Sequence, residues 1–159
     1  MEQIKKPTII CIANEKGGVA KTTSAINIAA GLSLRGKKVL LIDIDSQTHL
    51  TNWLDFTFDG KPTIAELIYQ TVAQFPINHE DFIRYNEKLN LDYIPATPML
   101  AGAVTTLHAD QTDETTVFTR IFSDNYFEQY DLIIINCCPS LDDSSDNGDE
   151  SIARFAAEN

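Results

Sequence analysis

The chain has 159 residues, 43% of them apolar, which suits a single domain with a buried core. Its 12 basic residues stand against 23 acidic ones, a net charge of −11 whose field repels phosphate backbones and anionic lipid, and so argues against nucleic-acid or membrane binding by bulk charge. No stretch of 18 uninterrupted apolar residues and no leader-like apolar N-terminus occurs, so a soluble cytoplasmic protein is expected.

The first predicted element is a strand from Thr8 to Ala13, a β-branched apolar run that ends just before a glycine pair. Apolar residues at consecutive positions imply burial on both faces, as in a parallel sheet. A helix follows from Thr22 to Arg35, with Ala25, Ile26, Ile28, Ala29, Ala30 and Leu32 on one broad face and Gly36 as its stop. Lys38 to Asp43 is a second buried strand, which completes a strand-helix-strand crossover. Thr63 caps a helix running to Phe75, with Ile64, Leu67, Ile68 and Val72 on its inner face. A short helix is expected near Glu80 to Tyr85 and a strand over Leu91 to Pro95. Thr115 to Gln129 has helical spacing through Val117, Phe118, Ile121, Phe122, Tyr126 and Phe127, and Asp131 to Asn136 is the fourth strand. The fold class is therefore α/β: a mainly parallel sheet flanked by helices.

From Ser140 the character changes. Asp142, Asp143, Asp146, Asp149 and Glu150 crowd one stretch with few apolar neighbours, and without them the net charge is −6. Residues 1–141 read as the folded part and 142–159 as an acidic, disordered tail in which Ser151 to Asn159 adds at most a helical turn. Cys11, Cys137 and Cys138 have no CxxC spacing and read as small residues of buried strands in a reducing compartment.

The chemistry concentrates between the first strand and the first helix, at Lys16, Gly17, Gly18, Val19, Ala20, Lys21, Thr22 and Thr23. A loop in that position aims backbone N–H groups at one point, the helix dipole adds positive potential, and glycines let the backbone close on a phosphate. Lys21 would reach the β- and γ-phosphates, and the Thr22 hydroxyl would ligate Mg²⁺. The ordinary pattern G-x-x-x-x-G-K-[ST] fails, because Glu15 and Ala20 stand at its glycines. The form K-G-G-x-x-K-T-[ST] is met in full.

That form resembles the deviant Walker A loop of the ParA/MinD family of P-loop ATPases. The resemblance continues through Gly36 to Gln47, with Asp43 and Asp45 in the family's D-x-D-P-Q and Ser46 in place of its proline. It extends through Leu91 to Ala103 and through Tyr130 to Leu141, segments similar to the ParA/Soj partition branch. It covers residues 8 to 141, about the first half of a typical member, so the chain reads as a shortened one that completes only part of the family fold and leaves one sheet edge open.

The resemblance implies ATP and Mg²⁺ as ligands and a nucleotide-sandwich homodimer in which Lys16 reaches the partner's phosphates. It also implies that Asp45 orients the attacking water, and that Thr22, Asp43 and the Walker B position surround the metal. It implies a ParB-like DNA-binding partner, contact with non-specific DNA, and a role in plasmid or chromosome partition. The Walker B position holds Asn136, an amide without the usual charge, which should weaken Mg²⁺ binding and slow hydrolysis. A hydrolysis-impaired nucleotide-binding paralogue acting as a regulatory module is therefore a second reading. A MinD-like positioning ATPase is a third, and a bacterial-type tyrosine kinase is disfavoured because no tyrosine cluster ends the chain.

Overall fold

The computed structural model describes residues 6–13, 20–109 and 114–137. The expectations for Lys16, Gly17, Gly18 and Val19, and for the acidic tail at 142–159, lie outside these described residues.

Five strands form one sheet in the order β1-β5-β2-β4-β3. They are β1 (Thr8–Ile12), β2 (Val39–Ile44), β3 (Arg84–Asn86), β4 (Leu91–Ile94) and β5 (Leu132–Cys137). All neighbours are parallel except β3, which runs antiparallel to β4. The second and fourth predicted strands take the sheet centre: β2 is buried at every position and β5 at all but its first. The first, expected to be buried on both faces, is instead an edge strand of the described sheet, exposed at Thr8 and half-buried from Ile9 to Ile12, because it has a neighbour on one side only.

Two apolar layers cover the sheet. On one face, α1 (Lys21–Ser33) brings Ala25, Ile26 and Ala29 against Val39, Leu41 and Ile134. On the other, α3 (Ile64–Val72), α4 (Leu100–Ala109) and α5 (Glu114–Phe122) pack on Leu40, Ile42, Ile133 and Ile135. Alternate residues of one strand thus serve different helices, the geometry of a parallel sheet wrapped on both faces.

Local signals held where backbone chemistry dictates them. Gly36 takes φ +80, and the Lys37 N–H returns to the Leu32 carbonyl at 3.1 Å, closing α1. Thr63 and Glu66 form a capping box at the start of α3, the Glu66 carboxylate accepting from the Thr63 N–H at 2.8 Å.

Other expectations are corrected. Ile28, placed on the inner face of the first helix, is 41% exposed. The helix expected to run on to Gln129 stops at Phe122, because the Asp124 carboxylate caps a new 3₁₀ turn by accepting from the Tyr126 N–H at 2.8 Å. The helix expected near Glu80 to Tyr85 is a 3₁₀ turn over His79–Phe82 followed by β3. Arg84 pins that strand through Asp59 at 2.8 Å and the Pro62 carbonyl at 2.7 Å. The helix α4 was missed because Gly102 and a run of small and β-branched residues blur its period; burial of Leu100, Ala103 and Leu107 on one side holds it in place. The short α2 (His49–Trp53) was missed as well.

Candidate functional site

Sheet pairing sets Asp43 of β2 directly beside Asn136 of β5, near the carboxyl ends of both strands. Counting along β2 and β5, both side chains fall on the face that α1 covers, since Leu41 and Ile134 lie two residues earlier in the α1 layer. The first turn of α1 holds Lys21, Thr22 and Thr23, directly after the segment that leaves β1. The fold therefore brings the helix start, Asp43 and Asn136 to one end of the sheet, as the parallel crossover requires. Ala20, the residue before α1, adopts φ 61, a left-handed conformation that glycine takes without penalty and alanine does not.

Asp43 is fully buried and held on three sides. Its Oδ2 accepts from the Thr51 N–H at 2.9 Å and the Thr51 hydroxyl at 2.7 Å, and its Oδ1 accepts from Asn136 Nδ2 at 3.0 Å. Burial pushes the Asp43 carboxyl above the usual carboxylate range, the neighbouring Asp45 adds to that, and the Thr51 and Asn136 hydrogen bonds pull the other way. Asn136 is as deeply buried, and its Oδ1 is a buried acceptor without a hydrogen-bond partner among the described residues. A buried orphan acceptor on the residue whose Nδ2 donates to a buried carboxylate fits a site that takes a hydrated cation.

Asp45 lies just beyond β2 and is nearly buried. Its own loop occupies both oxygens: Oδ1 accepts from the Gln47 N–H at 2.8 Å, and Oδ2 pairs with Nδ1 of the exposed His49 at 3.0 Å. The structure thus groups Asp43, Asn136 and Thr51, and holds Asp45 in a separate turn next to them.

Thr51 is the residue that sequence reasoning missed. Its hydroxyl donates to Asp43 and accepts from the Ala96 N–H at 2.9 Å, so one side chain ties β2 to the segment after β4. The signal available was a threonine eight residues past Asp43, in a stretch with no recognised element. Away from this end, a cavity of about 280 Å³ lined by Ser33, Lys38, Asn90 and Asp92 opens at the amino ends of the strands and includes none of these groups. Among the described residues no three His, Cys, Asp or Glu side chains cluster as metal ligands, and no helix is long and apolar enough to cross a membrane.

Comparison with known proteins agrees with this arrangement. The sequence matches the family described as AAA domain over residues 7–148. The sporulation initiation inhibitor protein Soj of Bacillus subtilis (strain 168) is 38% identical over 133 residues, 84% of this chain and 50% of its own length. The cobyrinic acid a,c-diamide synthase of Mycobacterium smegmatis, solved with bound ATP analogue and magnesium, superposes with a TM-score of 0.74 at 27% identity, over 94% of this chain and 55% of that one. A plasmid partition protein from Borrelia burgdorferi gives a TM-score of 0.66 at 31% identity, over 96% and 61%. The chain spans about half the length of the curated relatives it matches. With the loop, the adjoining Asp43 and Asn136 strands and these likenesses together, the chain belongs to the ParA/Soj-type, deviant Walker A branch of the AAA-domain P-loop family.

Proposed function

We propose that this chain binds ATP with Mg²⁺ at the turn between β1 and α1, works as a nucleotide-bridged homodimer, and hydrolyses ATP slowly in a ParA-type DNA-partition system. The observation that carries this reading is the orphan Asn136 Oδ1 beside the buried Asp43, on the sheet face that α1 covers. The Soj-type relatives and the nucleotide-bound diamide synthase support it.

Each residue type has a definable task. Gly17, Gly18, Val19 and Ala20 supply the backbone that closes on phosphate, and Lys21 and Thr23 engage it with charge and hydroxyl. Thr22, Asp43 and Asn136 would hold magnesium and its waters; when bound, the ion compensates charge on the phosphates and the leaving group. Asp45 orients the attacking water, and Lys16 crosses to the partner's nucleotide as a compact mobile charge. Thr51 is a positioning residue that fixes the Asp43 carboxylate. With a net charge of −11, DNA would be reached through a ParB-like partner rather than by this chain's own field. Residues 1–141 form the nucleotide-binding part and 142–159 an acidic appendage.

The Asn136 amide favours a second reading, a nucleotide-binding module with little turnover. It keeps the acceptor geometry of a Walker B aspartate but donates to Asp43 and lacks the charge. Titration with a fluorescent ATP analogue separates site from activity. Binding should require Mg²⁺ and fall at least about tenfold in Lys21→Ala, since a hydrogen bond to a charged group contributes about 1.5–3 kcal/mol. Unchanged affinity in that variant would overturn the site. Single-turnover hydrolysis by the unaltered chain and by Asn136→Asp then decides between the readings: measurable turnover supports the ATPase, and turnover seen only with the aspartate supports the module.

A further inference from the structure

On the sheet face opposite Asp43 and Asn136, two cysteines from neighbouring strands meet. Cys11 Sγ of β1 and Cys137 Sγ of β5 lie 2.8 Å apart, and neither is in a disulfide. Cys137 is 1% exposed, while Cys11 is half-buried, so a small oxidant can reach the first through the second. From this juxtaposition we propose that Cys11 and Cys137 are a reversible disulfide-forming pair whose oxidation by a peroxide-class oxidant draws the carboxyl ends of β1 and β5 together and weakens nucleotide binding. The effect on nucleotide rests on the site assignment above; the cross-link itself does not.

The pairing register supplies the mechanical argument. Cys11 pairs with Ile135, so Cys137 sits two residues beyond its direct partner. Strands about 4.8 Å apart with a rise of about 3.3 Å per residue put such a diagonal pair of Cα atoms on the order of 8 Å apart. A disulfide accepts Cα separations of about 4.4–6.8 Å. The sulfurs therefore touch in the reduced chain, but a covalent bond must draw the carboxyl ends of β1 and β5 together. Those ends lead into the segment 14–19 on one side and carry Asn136 on the other. The bond and the nucleotide thus act on the same backbone, which is the condition for coupling between two sites.

The chemistry balances with peroxide as the named oxidant. The Cys11 sulfur attacks one peroxide oxygen, the O–O bond breaks, and a sulfenic acid and one water form. The Cys137 sulfur then attacks the Cys11 sulfur, the S–S bond forms, the S–O bond breaks and a second water leaves. Two electrons pass from the two sulfurs to peroxide, and both thiol protons end in water. A dithiol reductant reverses the step.

The test uses the full chain carrying Cys138→Ser, so that the link is unambiguous. Treatment with hydrogen peroxide should give a peptide pair joined through Cys11 and Cys137 in a non-reduced digest, and affinity for the ATP analogue should fall about tenfold, a coupling within the range usual for linked sites. Dithiothreitol should restore it, and Cys11→Ser should bind nucleotide normally and ignore peroxide. Failure to recover the Cys11–Cys137 link overturns the proposal, and so does a link that leaves affinity unchanged. If the reduced chain does not bind nucleotide at all, the site assignment falls and takes the coupling with it, a different result from reduced binding that oxidation leaves untouched.

Discussion

Replacing Asn136 by aspartate restores the charge usual in the family, and the structure states what that does before any nucleotide is present. Asn136 Nδ2 lies 3.0 Å from Asp43 Oδ1, and both residues are buried. The substitution turns a donor facing a carboxylate into two facing carboxylates. At an effective dielectric of about 20, two unit charges about 3.5 Å apart repel by roughly 5 kcal/mol. The alternative is to keep one carboxyl protonated, which at pH 7 costs about 4 kcal/mol for a group whose ordinary value is near 3.9. Protonation is the cheaper route and also supplies an O–H donor where the amide stood, so Asn136→Asp should lose about 3–4 kcal/mol of unfolding free energy at pH 7 without metal.

The sign follows from linkage. The folded pair retains a proton that the unfolded chain has released, so the deficit grows as pH rises above the carboxylate range and shrinks as pH falls. At pH 5 about 1–2 kcal/mol should remain. Urea unfolding followed by circular dichroism at both pH values measures the difference. Mg²⁺ with ATP should narrow the gap at pH 7, because a ligand that binds only the folded state stabilises it. A variant as stable as the unaltered chain at pH 7, or one whose deficit is the same at pH 5, would refute the idea that Asn136 relieves carboxylate repulsion.

Other expectations are simpler to read. Thr51→Val keeps the shape but removes the donor to Asp43 and strands the Ala96 N–H, so unfolding free energy should drop by about 2–3 kcal/mol in the same urea assay. Ala20→Gly relieves a left-handed backbone at an exposed position and should raise stability by about 0.5–1 kcal/mol, measured as a higher urea midpoint. His79 is 9% exposed and stacks on Tyr126 with ring centroids 5.2 Å apart; burial lowers its pKa below 6.5, against the pull of Asp124. The unfolded chain therefore takes up a proton first, so stability present above pH 6.5 should decline as pH falls through the window below it. A His79→Phe variant should lose that part of the pH dependence, and an unchanged profile would assign it elsewhere.

What the sequence determined was local. Runs such as Val39 to Ile42 and Ile133 to Ile135 could only be strands buried on both faces. Gly36, Thr63 and Glu66 marked helix ends through backbone chemistry that needs no distant partner. The order of lysines, glycines and threonines from Lys16 to Thr23 is likewise a local pattern, and the proposed phosphate loop is read from it. Elements held mainly by remote contacts were not legible: α4 depends on burial of Leu100, Ala103 and Leu107, and β3 on Arg84 reaching Asp59 and Pro62. Only tertiary structure decided that β5 inserts between β1 and β2. That insertion sets Asn136 against Asp43, 93 positions apart in the chain, and Cys11 against Cys137, 126 apart. Pairing between distant strands is chosen by the whole core packing at once, and no short window of sequence carries it.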